Sequence, residues 1–157
     1  MFAKLELGQT LKGIEIVRKI MLAQDKQSLK AGNNEPKQTL QEFQWELLTA
    51  EGGYWEAAQV MKFFAVTGFQ HLDAMREQGN LLGVWWEDRY LYPAWQFIEG
   101  GKVLTGLPQV LRKLYPFSAW EKFSYLLSPN YYLDNQSSPL EELRRGNIED
   151  VILAATE

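Results

Sequence analysis

Leu81–Phe97, LLGVWWEDRYLYPAWQF, decides how this chain is read. A Leu-Leu pair, Gly83 and the aromatic run through Trp85 and Trp86 lead to the polar break Glu87-Asp88-Arg89. Tyr90, Leu91 and Tyr92 follow, and Pro93 closes the run. Aromatic and β-branched residues on both sides of an acidic break predict a short β-hairpin. The turn is not of the Asn-Gly or Asp-Gly kind that marks the tightest hairpins. Pro93 has no N–H for a ladder, so the second strand should end there.

Upstream, the pattern predicts a helix over Tyr54–Phe64, with Trp55, Ala58, Met61 and either Val60 or Phe64 inward. Thr67-Gly68-Phe69-Gln70 reads as a capping box opening a second helix, Phe69–Gln78, with Phe69, Leu72 and Met75 on its apolar face. Gly79 supplies the left-handed stop. Helix, tight turn, helix and hairpin is the order of a winged helix-turn-helix. Its second helix would enter the major groove of DNA, with Gln70, His71, Asp73, Ala74, Arg76 and Glu77 outward. Gln70 suits adenine, and Arg76 suits guanine or a phosphate. With His71 and Arg89 of the wing, these are the candidate DNA-binding residues.

Charge opposes strong DNA binding. Residues 51–97 carry Lys62, Arg76 and Arg89 against Glu51, Glu56, Asp73, Glu77, Glu87 and Asp88, a balance of −3. Affinity for a phosphate backbone comes from neutralising it with Lys and Arg. The whole chain is at −4 over 157 residues, with 46% hydrophobic and 23% charged residues, ordinary for a globular protein of one or two small domains. The absence of Cys excludes disulfides and thiolate metal sites. No apolar run approaches the ~18 residues of a membrane span, and MFAKLELGQT lacks a signal-peptide core. A cytoplasmic location is expected.

On the N-terminal side, Leu11–Lys30 has amphipathic helical spacing, and Ala31–Pro36 is a break. Thr39-Leu40-Gln41-Glu42 is a capping box for a helix through Phe43, Trp45, Leu47 and Leu48 that stops near Gly52-Gly53. Beyond the hairpin, Gly106-Leu107-Pro108 opens a helix whose apolar face is Val110, Leu111 and Leu114. Ser118–Glu121 caps Ala119–Leu127, with Trp120, Phe123 and Leu127 inward. A polar loop, Ser128–Ser137, leads to Ser138-Pro139-Leu140-Glu141 and a helix ending at Gly146. Asn147 caps the last helix, Ile148–Ala155, with Ile148, Val151, Ile152 and Ala155 on its face. The expected fold is mainly α with one short hairpin. It divides into N-terminal helices (1–50), a winged helix-turn-helix (51–97) and a helical C-terminal domain (98–157).

Catalysis has little support. His71 is the one His, with no Cys partner, and there is no phosphate-binding loop or GxGxxG. Glu141-Glu142 and Glu87-Asp88 are explained by a helix start and a turn. Neither a cofactor nor a metal site is expected. The set Trp85, Trp86, Tyr90, Tyr92, Trp95 and Phe97 could stack on bases, as in single-strand binders, but reads first as core, because strand alternation buries one face anyway, with part left for an interface.

Two stretches resemble a known family. GGYWEAAQVMKFFAVTGFQHLDAMREQGNLLGVWWEDRYLYPAWQF (52–97) and LSPNYYLDNQSSPLEELRRGNIEDVILAA (127–155) are similar to small bacterial antitoxins that join a helix-turn-helix to an Xre/MbcA/ParS-type toxin-binding domain. The chain departs from that family on the recognition helix, where Gly68, Asp73 and Glu77 stand in place of a Ser and several Arg. The resemblance implies a non-enzymatic regulator that binds a cognate toxin of the NAD-consuming RES class and operator DNA, and that forms a homodimer or larger homo-oligomer. The alternative is a protein-binding adaptor whose helix-turn-helix no longer binds DNA. The toxin contact is expected on Leu140, Leu143, Ile148, Val151 and Ile152, by the resemblance and because two such short helices carry more apolar residues than one small core needs.

Overall fold

A computed structural model describes residues 39–156. The helix expected over Leu11–Lys30 and the break at Ala31–Pro36 lie outside them. The described chain is mainly helical, with small antiparallel sheets.

Helix α1, Leu40–Thr49, starts at the expected box: Thr39 Oγ1 accepts from the Glu42 N–H at 3.0 Å, and Glu42 Oε2 accepts from the Thr39 N–H at 3.4 Å. Strand β1, Tyr54–Glu56, and helix α2, Ala57–Phe64, replace the single helix expected over Tyr54–Phe64. The open edge of a neighbouring strand takes Tyr54–Glu56 as its partner, which suits the strand preference of Tyr and Trp. Trp55 consequently stacks on Phe97 at 4.3 Å, Val60 is fully buried, and Ala58, expected inward, is exposed.

Helix α3, Phe69–Glu77, begins without the predicted box, because its N-cap is Gly68, which has no side-chain acceptor. Leu72 is buried and Met75 half-buried, whereas Phe69, expected inward, is 63% exposed on the first turn. Gly79 takes the left-handed stop at φ +73°.

The hairpin forms as predicted. Strands β2, Val84–Trp86, and β3, Arg89–Pro93, pair with Trp86 opposite Arg89, so Glu87-Asp88 is a two-residue loop, with Glu87 at φ +56°. The sheet order β1-β3-β2 places β3 in the centre. A 3₁₀ turn, Ala94–Gln96, and the small ladder of β4 (Phe97–Ile98) with β5 (Lys102–Val103) lead on to the C-terminal helices.

Those helices are α4 (Leu107–Lys113), α5 (Ala119–Leu127), α6 (Pro139–Arg144) and α7 (Ile148–Ala155). The caps at Ser118 and Ser138 form as read: Ser118 Oγ accepts from Glu121 N–H at 3.2 Å and Ser138 Oγ from Glu141 N–H at 3.1 Å. Asn147 sits at the N-cap of α7, but its side chain makes no cap bond and turns back to Glu142.

One apolar cluster joins Leu48 of α1 and Val84, Leu91 and Trp95 of the hairpin region to Leu111, Phe123, Leu140 and Val151. A smaller one holds Val60, Leu72, Leu81 and Tyr92 under the helix-turn-helix. The larger core therefore crosses the boundaries expected near residues 50 and 97. Polar ties cross there too: Trp120 Nε1 donates to the Trp85 carbonyl at 3.2 Å, and Arg112 donates to the Gln78 carbonyl at 3.2 Å and to Asn80 Oδ1 at 2.5 Å.

Candidate functional site

The helix-turn-helix is built on a tight connection. Ala65 adopts the left-handed conformation at φ +55°, and Val66 N–H donates to the Met61 carbonyl at 3.0 Å, ending α2 before Gly68. On α3, Gln70 and His71 stand exposed, beside exposed Asp73 and Glu77.

Arg76 does not face outward, contrary to expectation. Its side chain is 15% exposed. Its guanidinium carbon lies 3.5 Å from the Tyr90 ring centroid, it donates to the Tyr92 hydroxyl at 2.6 Å, and it pairs with Asp73. The physical reason is the wing: β3 brings two tyrosines under α3, and a guanidinium fits both a ring face and a buried hydroxyl. Burial penalises the Arg76 charge, but the hydrogen bond to Asp73 and the tyrosines more than offset that, so its pKa is raised. Burial raises that of Tyr92, with Arg76 opposing. The packing leaves no room at Gly83, where a Cβ would stand 2.7 Å from both Arg76 Cδ and Tyr92 Cε1.

Arg89, on the wing, is exposed but engaged: it pairs with Glu56 at 2.7 Å and lies 3.6 Å from Asp88. Of the four candidate DNA-binding residues, Gln70 and His71 are thus free on the surface, Arg89 is half-committed and Arg76 is part of the packing.

Gln96 was not a sequence candidate, yet it fixes where the wing sits. The side chain is fully buried; its amide donates to the Leu82 carbonyl at 2.8 Å and the Pro93 carbonyl at 3.1 Å, and accepts from the Leu82 N–H at 2.9 Å. It occupies the backbone groups of the α3–β2 link just as a strand partner would.

At the C-terminal end, Leu140, Leu143 and Val151 are core, at 1%, 2% and 0% exposure. Ile148 and Ile152 are half-buried against the same cluster. The idea that these two helices carry surplus apolar residues is corrected by α4. It runs beside α7, and a Cβ on Gly106, just before α4, would meet Ile148 at 2.7 Å and Leu143 at 3.0 Å. What the surface does present is Tyr131, Tyr132 and Leu153, at 48%, 59% and 64% exposure. Tyr132 and Leu153 line a groove of about 270 Å³ together with Leu133, Asp134, Asp150 and Ala154. The Tyr-Tyr pair in a polar loop was the available signal, since a buried pair would sit on a periodic face.

The groove's walls are held by buried polar groups. Asn130 donates to the Tyr125 hydroxyl at 2.8 Å and accepts from the Tyr132 N–H at 2.9 Å. Burial pushes the Tyr125 pKa up to about 12, against the opposing effect of Asn130. Glu142, 3% exposed, accepts from Asn147 at 2.6 Å and Ser137 at 2.8 Å and pairs with Arg145. The bonds from Asn147 and Ser137 outweigh burial and hold its carboxyl below the usual range.

Among the described residues no cluster of His, Asp or Glu is placed to hold a metal ion, and no helix is long and apolar enough to cross a membrane. No protein-family model matches the chain, and no curated protein matches it in sequence. The fold is similar to that in the NMR structure of Rv2175c, with a TM-score of 0.58 and 19% identity over 69% of this chain and 82% of that one.

Proposed function

We propose that this chain is a non-enzymatic, antitoxin-like regulator that acts by binding a cognate toxin, of the RES class by its family resemblance, and that its helix-turn-helix contributes little grip on DNA. The observation that carries the second half is Arg76. Its guanidinium is used by Tyr90, Tyr92 and Asp73, so α3 faces outward with Gln70 and His71 beside two carboxylates. With so few free cations for phosphates, backbone affinity is small. The adaptor reading is this function without an operator. Self-association fits the same picture: Trp45 and Trp85 are 45% and 54% exposed, and large aromatics at a surface favour interfaces.

The test is coexpression with the product of the neighbouring reading frame. Neutralised NAD consumption and a stable complex are expected, with no tight binding of upstream DNA at physiological salt. Tight, sequence-specific binding to that DNA would restore the repressor reading. An absent complex would remove the antitoxin one.

A further inference from the structure

We propose that the groove between Tyr132 and α7 is a docking site for a basic segment of a partner protein, one that sets a Lys or Arg beside an aliphatic side chain. This deepens the toxin-binding reading and rests on it for the partner's identity, though not for its chemistry. Exposed apolar surface supplies half of the recognition. Tyr132 and Leu153 line the groove, more than half exposed, with buried Leu133 and Ala154. Charge supplies the other half. Residues 131–157 contain Asp134, Glu141, Glu142, Glu149, Asp150 and Glu157 but only Arg144 and Arg145 as cations. Both arginines are spoken for, Arg144 by Glu51 at 2.9 Å and Arg145 by Glu142. No cation among the described residues pairs with the carboxylates of Asp134 or Asp150, which line the groove.

A partner that complements this lining is positive, and a nucleic acid or acidic peptide is repelled. The Tyr132 ring favours the same occupant, because a ring face attracts a cation and its body packs on an aliphatic stem. Asp150 also lies in the first turn of α7, where helix polarity alone accounts for it. Asp134 lies outside that helix, at the start of the three-residue 3₁₀ turn Asp134–Gln136. The groove is also preformed. Asn130 and Ser137 fasten the loop from both ends, so little ordering is required when a segment docks.

Fluorescence anisotropy on the full chain tests this with a short labelled peptide of alternating Lys and Leu, and with its charge-reversed Glu-Leu counterpart. The Lys-Leu peptide should bind and lose affinity as salt rises. Asp134→Asn with Asp150→Asn should weaken it roughly tenfold. Glu46→Gln with Glu99→Gln, which removes the same charge from α1 and the β4–β5 turn, should change it by less than about twofold. Leu153→Ser, on an exposed site, is the second variant and should weaken binding without lowering the melting temperature. Equal binding of the two peptides, no binding of either, or equal effects of the two carboxylate pairs overturns the proposal. Capture of the coexpressed toxin separates the two levels. Toxin held equally well by the groove variants overturns the groove and keeps the antitoxin reading. Groove-dependent peptide binding with no toxin captured does the reverse.

Discussion

Replacing Gln96 by Leu tests whether one buried amide positions the wing. The substitution nearly conserves volume, so the cavity contribution is small. It removes a donor serving the Leu82 and Pro93 carbonyls and the acceptor for the Leu82 N–H, in a site with no exposure. Each buried backbone group left without a partner costs ~1–3 kcal/mol. The three together give about 3–6 kcal/mol once partial relaxation is allowed. Against a total stability of ~5–15 kcal/mol that is a large share. At ~2–4 °C per kcal/mol for a chain of this size, the melting temperature should fall by about 6–24 °C. Circular dichroism melts of the two proteins under one buffer measure it. A decrease of less than ~3 °C would show that the Leu82 link finds other partners and that Gln96 does not hold the wing.

Arg76→Ala should cost roughly 2–3 kcal/mol, from the orphaned Tyr92 hydroxyl and the lost ring contact, while leaving weak DNA affinity and its salt slope unchanged. Loss of DNA binding at unchanged stability, in melts and gel shifts, would refute that assignment. Glu142 has a folded pKa held below its ordinary value of 4.5, so its contribution is complete above that value and disappears as pH falls through the lower one. The stability gap between the wild type and Glu142→Gln should therefore close in acid, as read by melts across pH. Leu143→Ala should destabilise by ~2–5 kcal/mol as a core truncation, whereas Leu153→Ala, on an exposed site, should stay within ~0.5 kcal/mol in denaturant titrations. Light scattering should report a particle larger than the 18.2 kDa chain at micromolar concentration; a monomer mass contradicts self-association.

The features legible in the sequence are those decided within a few residues. Thr39, Ser118 and Ser138 cap helices because each cap bond reaches only to the third residue on. The hairpin was readable from its alternation and Pro93. Features decided by distant partners were not. Tyr54–Glu56 has helical spacing with Ala58 and Met61, and becomes a strand because β3 offers an open edge. Arg76 occupies an outward position on a helical wheel, and only the arrival of Tyr90 and Tyr92 from the wing turns it in. The burial of the candidate contact residues was hidden the same way. Whether Leu140, Leu143 and Val151 are spare depends on whether α4 and α5 cover them, and apolar periodicity does not distinguish core from interface.

The apolar cluster that runs from Leu48 and Val84 through to Val151 gives α1, the hairpin and the C-terminal helices one shared core, which predicts that they open together. Amides of β3 and of α7 that exchange with solvent only through global opening should therefore share one protection free energy. A ligand seated at Leu153 would raise that free energy by RT ln(1 + [L]/Kd) and so slow exchange in β3, with no shift of any atom there. Occupancy of the groove should then be legible in deuterium uptake at the hairpin.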